Sequence, residues 1–281
     1  MQCDIDIIGE PSNLAEIELI LATTTMLGKM DFHNFTVCIN DRNILKAMAA
    51  YSGFPEESYD SVFIILDKMD KIGLEGVKEE LIKYDFDEES VEKYTNLFKE
   101  IENKENPVTY LAEKLDGFMD DDVKQWMEEI IDSVRATKAS EFEIVFDPTL
   151  VRGMSYYTGT IFEIAIPEFG GSCGGGGRYD KMVGKFTGQD VPACGFSIGF
   201  ERIVLLLMES GFTVPMQRPK VAYLIEKGYP ADKLVDVIAK AQEERQAGKQ
   251  VLVVRMNKNK KFQKEKLAAE GYKDIEEFFN N

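Results

Sequence analysis

Four groups of residues have types and spacing suited to chemistry. Arg152 is followed closely by the adjacent pair Tyr156-Tyr157, with Gly153 and Gly159 in the same stretch. An arginine offers a planar fork of N–H donors that matches a phosphate or a carboxylate. Successive residues of a regular strand point to opposite faces, so both tyrosines can face one pocket only where the backbone is irregular, which the two glycines allow. A surface arginine beside two core aromatics is the plainer alternative. Further on, Gly174-Gly175-Gly176-Gly177 stand directly before Arg178. Glycines free the backbone to lie close to a ligand, although such stretches also serve as ordinary flexible connections. This one is no P-loop, because no Gly-Lys-Ser/Thr closes it, and no G-x-G-x-x-G separates a strand from a helix. Arg202 opens an expected helix, where the dipole disfavours a cation. A bound anion would account for it, as would an ion pair to Glu201 or Asp180. Finally, the alternating run Gln2-Cys3-Asp4-Ile5-Asp6-Ile7-Ile8 puts Gln2, Asp4 and Asp6 on one face of a strand, which must meet water or a polar pocket.

Around these groups the pattern predicts the elements that position them. Asn13, with Glu16 three residues later, is a capping-box signature for a helix whose apolar face is Leu14, Ile17, Leu21 and Thr25. A short strand over 35–39 ends at Asn40-Asp41, a cap for a helix from Arg42. Residues 51 to 137 read as helical and acidic, with Val62, Ile65, Leu66 and Met69, and then Val123, Trp126, Met127, Ile130, Ile131 and Val134, at helical spacing. Strands return over 142–146 and 160–166. Residues 192–199 read as a strand or turn packed closely on a neighbour and lead into a helix that stops near Gly211. After a linker over 215–219 comes an alternating module: strand 221–225, helix 231–247 closed by Gly248, strand 250–255, and a helix from about Phe262 through Phe279. This order implies a small α/β unit with a parallel strand pair.

A chain of 281 residues accommodates about two domains, and 44% hydrophobic with 30% charged residues is ordinary for a soluble globular protein. No apolar run is long enough to span a bilayer, and no charged segment precedes an apolar stretch as in a signal peptide. Cys3, Cys38, Cys173 and Cys194 lie far apart without a C-x-x-C pair, which suits neither zinc nor a disulfide framework and points to reduced, cytoplasmic thiols. The single histidine, His33, has no second histidine to share a metal or a relay, so a surface or helix-end role is expected. The net charge of −17 is uneven: of 33 basic and 50 acidic residues, 14 and 10 respectively fall from Arg218 onward. A basic tail module beside an acidic body is the implied arrangement.

Taken together, the motifs resemble those of the histidyl-tRNA synthetases. Leu150-Val151-Arg152-Gly153-Met154-Ser155-Tyr156-Tyr157-Thr158-Gly159-Thr160-Ile161-Phe162-Glu163 is similar to the histidine-specific motif of that family, and Gly174–Asp180 resembles its second histidine-specific element. The run from Pro192 to Arg202, with its Gly-x-Glu-Arg ending, looks like motif 3 of the class II synthetases, and Gln2–Gly9 resembles the end of motif 2. Order and spacing agree over essentially the whole chain. Ser155 departs from the pattern, standing where the family usually has an acidic residue.

The resemblance implies an α/β (α+β) fold: an antiparallel, class II synthetase-like sheet flanked by helices, formed by residues 1–50 and 141–214, a helical insertion over 51–140, and an anticodon-binding-like α/β domain over 219–281. It implies that Gln2 holds the α-amino group of histidine and Asp6 accepts a hydrogen bond from the imidazole. Tyr156, Tyr157 and Tyr179 would line the pocket, and Arg152 would bind the carboxylate and the α-phosphate as the catalytic cation. Arg202, with Gly199, Gly176 and Gly177, would lie against ATP, the γ-phosphate being gripped by Arg202. Arg255, Lys258, Lys260 and Lys261 become candidate tRNA contacts, a solvated helix face being the plainer reading. ATP with Mg²⁺, L-histidine and tRNA(His) are the implied substrates and cofactors; zinc is not implied, and a homodimer is expected of the full-length parent. Motif 1 and the first half of motif 2 would precede Gln2, so the chain is expected to be an N-terminally truncated portion, Met1 an artificial or secondary start, and adenylate formation by this chain alone weak.

Two other readings start from the same residues. The regulatory subunit of ATP phosphoribosyltransferase shares the family's fold and can sense histidine, but that reading expects loss of the Arg152 motif and no C-terminal module. A nucleic-acid-binding or regulatory protein with a dead synthetase-like domain would use the basic run from Arg255 to Lys266 as its contact surface, with marked salt dependence.

Overall fold

The computed structural model describes residues 2–152, 156–167, 170–212 and 218–280. The chain divides into two compact units, residues 1–210 and 211–281. In the first unit the elements run β1 (Gln2–Ile8), α1 (Leu14–Lys29), β2 (Phe35–Asp41), α2 (Arg42–Ser52), a short 3-10 turn, α3 (Tyr59–Leu66), α4 (Met69–Lys83), α5 (Glu88–Ile101), α6 (Pro107–Lys114), α7 (Asp121–Thr137), β3 (Phe142–Phe146), β4 (Thr160–Ile166), β5 (Gly171–Arg178), α8 (Asp180–Thr187), β6 (Ala193–Gly199) and α9 (Phe200–Glu209). Its six strands form one sheet in the order β1-β6-β5-β4-β2-β3. Every pair is antiparallel except β2 with β3. The helices of residues 51–137 share a single hydrophobic core with this sheet, through Val62, Ile65, Leu97, Leu111 and Ile130 among others.

The glycine run is not a connection. Gly174 to Gly177 lie inside β5, bonded on one side to β4 and on the other to β6, so the strand is central in the sheet. Backbone pairing on both edges compensates for the conformational entropy that glycines lose on folding. The absence of side chains is what lets the neighbours approach. A Cβ on Gly176 would sit 1.9 Å from the carbonyl oxygen of Gly195. Phe162 and Phe196, the cross-strand partners of Gly176 on its two sides, stack with ring centroids 5.2 Å apart.

The start of α1 differs from the capping-box expectation. Asn13 occupies the N-cap position with helical backbone angles and no side-chain cap; its amide instead donates to Glu129 at 2.7 Å. Glu16 does not turn back to the cap but is fully buried, and its carboxylate receives Nε (2.7 Å) and Nη2 (2.6 Å) of Arg178. This pairing rotates the helix. The face turned inward is Ala15, Glu16, Leu19, Ile20, Thr23, Thr24 and Leu27, while Leu14 is exposed and Ile17, Leu21 and Thr25 lie only part-way in. Arg178 also donates to the carbonyls of Ser12 (2.7 Å) and Glu10 (3.3 Å) and to Asp180 (3.3 Å), and its guanidinium lies over the Trp126 ring.

The other expected cap is present. Asp41 precedes α2 in extended conformation and accepts from the Asn43 N–H at 2.7 Å, with the Thr160 hydroxyl at 3.4 Å. Burial nonetheless raises its carboxyl to about 6. His33 sits half-exposed beyond α1, 3.1 Å from Asp31.

The second unit is β7 (Lys220–Ile225), α10 (Ala231–Gln246), β8 (Gln250–Arg255), α11 (Lys260–Ala269) and β9 (Asp274–Phe278), with a parallel sheet in the order β8-β7-β9. The last segment corrects the expected long helix. The chain leaves α11 through Gly271 at φ +90° and pairs as a third strand. Ile275 and Phe278 sit three apart, a spacing that suits a helix face. In β9 the same spacing sends them to opposite faces of the sheet, Ile275 packing with Leu267 and Phe278 with Val237. The expected linker over 215–219 falls mostly outside the described residues.

Removing either partner of a buried ion pair strands the other charge. Arg178→Ala and Glu16→Ala are each expected to cost roughly 3–5 kcal/mol in urea unfolding, and the double variant clearly less than the sum. Additive losses would contradict direct pairing. For Asp41, a folded-state carboxyl at about 6 lies above its ordinary 3.8, so its contribution is fully present below pH 4 and is lost as pH rises through 6. Asp41→Asn keeps the acceptor and removes the charge. Its melting temperature should exceed that of the wild type at pH 7, and the gap should close toward pH 4; a gap independent of pH would refute the assignment.

Candidate active site

One cleft of about 800 Å³ opens on the sheet face of the first unit. Residues paired across adjacent strands share a face of the sheet, and here two such rows build the floor. One row runs Asp6–Gly195–Gly177 and the next Asp4–Ser197–Gly175–Glu163, across β1, β6, β5 and β4. Gln2 lies opposite Gly199 one step further along β1. The alternation read in the opening strand therefore aims Gln2, Asp4 and Asp6 into the cleft, and all three line it.

At one end the wall is aromatic and carries a carboxylate. The Tyr179 hydroxyl donates to Asp6 Oδ1 in a short hydrogen bond. Tyr156 lies in a turn and Tyr157 outside any strand, so both rings reach the cleft, 4.5 Å apart between centroids; Tyr179 meets Tyr156 edge-on at 6.1 Å. Burial, then the bond to Asp6, raises the Tyr179 phenol above the ordinary tyrosine range. Burial, then Tyr156, does the same for Tyr157. Both are hydrogen-bond donors at neutral pH. The glycine of β6 makes the space: a Cβ on Gly195 would lie 2.0 Å from Asp6 Oδ1.

The middle of the cleft belongs to Arg152. Its Nη1 meets Glu163 Oε2 at 2.7 Å, and its guanidinium lies on the backbone of Gly175, where a Cβ would fall 2.5 Å from Nη1. At the far end Arg202, in the first turn of α9, donates to the carbonyl of Ser172, with Gly199 and Glu201 beside it. Neighbouring Cys173 is pushed to about 11 by burial, against the pull of Arg202, so its thiol is neutral. Cationic groups thus stand at the centre and one end, and the ring-and-carboxylate pocket at the other.

Of the residues singled out from sequence, Gln2, Asp6, Arg152, Tyr156, Tyr157, Tyr179, Gly176, Gly199 and Arg202 line this one cleft. Gly177 does not: it lies beneath the Tyr157 ring, 2.9 Å from where its Cβ would be. Gly153, Met154 and Ser155 lie outside the described residues. Arg255, Lys258, Lys260 and Lys261 are in the second unit. There Arg255 donates to the Glu226 carbonyl at 3.0 Å and Lys260 to Glu277 at 2.8 Å, so these two are held within their own unit. Asp4, Glu163, Ser197 and Glu201 line the cleft without having been picked as site residues. A signal for Glu163 existed: it is the only charged residue of the otherwise apolar strand β4. Among the described residues no group of three or more His, Cys, Asp or Glu side chains could hold a metal ion, and no helix is long and apolar enough to cross a membrane.

A family model described as Histidyl-tRNA synthetase matches residues 1–203. A histidine–tRNA ligase of Leifsonia xyli subsp. xyli is 39% identical over 279 residues, which is 98% of this chain and 63% of that protein. A probable histidine–tRNA ligase of Tropheryma whipplei is 39% identical over 218 residues, 75% of this chain and 50% of its own length. The chain thus spans between half and two thirds of these relatives. Among solved structures, histidyl-tRNA synthetase from a Nostoc species superposes with a TM-score of 0.76 at 25% identity, covering 98% of this chain and 65% of the other. A protein from Bacillus halodurans described as an ATP phosphoribosyltransferase regulatory subunit/histidyl-tRNA synthetase shares the fold, with a TM-score of 0.74 at 21% identity, covering 99% and 68%.

Gly176 and Gly195 should separate by what a methyl at each would touch. A methyl at Gly176 meets backbone, and Gly176→Ala is expected to lower the urea midpoint severely, by several kcal/mol in stability. At Gly195 every near neighbour is a side-chain atom of Asp6 or Tyr179. Gly195→Ala should keep a cooperative fold while a crystal structure shows the Asp6 carboxylate displaced; an unmoved Asp6 would contradict the packing described.

Proposed function

The chain belongs to the histidyl-tRNA synthetase family, and we propose that its cleft is the histidine-binding part of an adenylating active site. The observation that carries this is the order of groups along the cleft: an aromatic pocket with one carboxylate, then an arginine, then a second arginine at a helix start. L-Histidine presents the same order, an imidazole ring with N–H groups, then its amino and carboxylate groups, with ATP beyond.

On this reading Asp6, oriented by Tyr179, accepts an imidazole N–H, while Tyr156 and Tyr157 enclose the ring. An acceptor that the bound ligand closes off from water and leaves unpaired penalises an apolar isostere, which is how such a pocket selects imidazole. Gln2 takes the α-amino group. The histidine carboxylate attacks the α-phosphorus of ATP and pyrophosphate leaves. The nucleophile is already ionised, so the site needs a cation rather than a base, and Arg152 stabilises the charge gathering on the phosphoryl oxygens. Arg202 grips the γ-phosphate, with Gly199 and Gly176 giving the nucleotide close access to the backbone.

Mg²⁺ accompanies ATP in this chemistry and neutralises phosphate charge. It favours one or two carboxylates plus phosphate oxygens over an all-protein cage. The cleft meets that demand with lining carboxylates such as Asp4. The histidyl group then passes to tRNA(His), with the second unit as the anticodon-binding-like domain and Lys258 and Lys261 as candidate phosphate contacts. A cytoplasmic location and a homodimer belong to the same reading. The retained Arg152 favours catalysis over a purely regulatory role.

Calorimetry on the purified chain should show L-histidine binding that Asp6→Ala weakens by roughly ten- to a hundred-fold, the worth of a hydrogen bond to a charged acceptor. Arg152→Ala should weaken it as well. Binding indifferent to Asp6→Ala would refute the orientation proposed for the ligand.

A further inference from the structure

The role given to Arg152 rests on its guanidinium standing in one place, and the backbone alone does not put it there. Arg152 lies outside any helix or strand. The chain is anchored up to the residue before it: the Leu150 carbonyl accepts from Asn40 Nδ2 at 3.1 Å, the Leu150 N–H donates to the Asp147 carbonyl at 3.1 Å, and Val151 is buried. From Cβ outward the side chain has several freely rotating bonds, and arginine loses as much rotamer entropy on being fixed as any residue.

Two features of the sheet restrain it, beside a hydrogen bond with Tyr157. Gly175 supplies a bare stretch of backbone for the guanidinium to lie on. Glu163, the cross-strand partner of Gly175 on β4, rises beside that gap on the cleft face and meets Nη1 at 2.7 Å. The Glu163 side chain is 28% exposed and that of Arg152 21%, so the pair is partly withdrawn from water. We propose that Glu163 is a positioning residue that holds the Arg152 guanidinium over Gly175, at the point where the substrate carboxylate meets the α-phosphate. This deepens the histidine-adenylating reading and depends on it for the identity of the anion.

Glu163 acts on anion binding in two opposed ways. Its negative charge offsets part of the attraction that Arg152 exerts on a substrate carboxylate. Its tether removes rotational freedom that the ligand would otherwise have to remove on binding. Partial exposure screens the first effect, whereas the second is independent of solvent. The tether therefore dominates, and loss of Glu163 should weaken anion binding although a negative charge has been taken away.

The test uses the whole chain with Glu163→Ala and Glu163→Gln, each first shown to unfold cooperatively near the wild-type temperature. Two probes are compared by calorimetry: L-histidine, and L-histidinol, which lacks the carboxylate. Glu163→Ala should weaken L-histidine about ten-fold and leave L-histidinol unchanged, Glu163→Gln should fall between, and neither should matter in an Arg152→Ala background. Unchanged or tighter L-histidine binding, or equal weakening of both probes, overturns the proposal. A second readout is free of the ligand assignment: nitrogen-15 spectra of the Arg152 guanidinium, identified with Arg152→Lys, should show restricted rotation that Glu163→Ala releases. A guanidinium equally restricted in Glu163→Ala overturns the positioning role. Release of the guanidinium in a chain that binds no histidine upholds it and sinks the histidine reading instead.

Discussion

Every N–H of the Arg178 guanidinium has an acceptor, and those acceptors belong to separate parts of the chain. Two donate to Glu16 of α1, two to the carbonyls of Glu10 and Ser12 in the loop before it, and one to Asp180 at the start of α8. Trp126 of α7 lies against the guanidinium. A buried guanidinium is tolerated only with this degree of pairing, and the same need dictates the rotation of α1 and the course of residues 9–13. Those residues continue from β1, whose inner face carries Gln2, Asp4 and Asp6. The residue after Arg178 is Tyr179, which grips Asp6. The pocket carboxylate and its phenol partner are thus delivered from both sides of one ion pair.

Beside that clamp, the cleft exists because two strands give up side chains. Gly175 and Gly177 on β5 and Gly195 and Gly199 on β6 all fall on the cleft face, and the volume they leave is taken by groups from elsewhere: Arg152 on Gly175, Tyr157 on Gly177, Asp6 beside Gly195, Arg202 beside Gly199. Such glycines weaken a strand by roughly 0.5–1 kcal/mol each relative to alanine. The compensation is ladder pairing on both edges of β5 and a continuous core on the opposite face, where Phe162 and Phe196 stack.

Much of this was legible from sequence because period-two alternation and cap residues are local signals. The strands at 2–8, 142–146, 160–166 and 250–255 and the Asp41 cap needed no tertiary knowledge, and motif order gathered nine of the ten selected cleft residues in one place. What escaped depends on distant partners. Glu16 has the spacing of a capping box, and only Arg178, 162 positions away, turns it inward. The glycine run has no side-chain pattern, so nothing local distinguishes a central strand from a flexible connection. Ile275 and Phe278 satisfy helix and strand equally, and Gly271 decides between them. Glu163 was visible as a lone charge in an apolar strand, but its meaning required Arg152 above it.

The cleft's charge has a consequence for the proposed reaction. Asp4, Asp6, Glu163 and Glu201 outnumber Arg152 and Arg202 among its lining residues, and the residues before Arg218 are strongly acidic. An uncomplexed nucleotide triphosphate would enter against that field. Geometry removes part of the conflict: Asp6 is bonded to Tyr179 and Glu163 to Arg152, so their charge is partly met within the protein. The carboxylates of the cleft repel bare phosphates but suit a nucleotide whose charge is already balanced by a divalent ion. The acidic excess therefore favours the Mg²⁺ complex of ATP over the free nucleotide, and it leaves the two arginines as the groups that distinguish a correctly seated anion from a misplaced one.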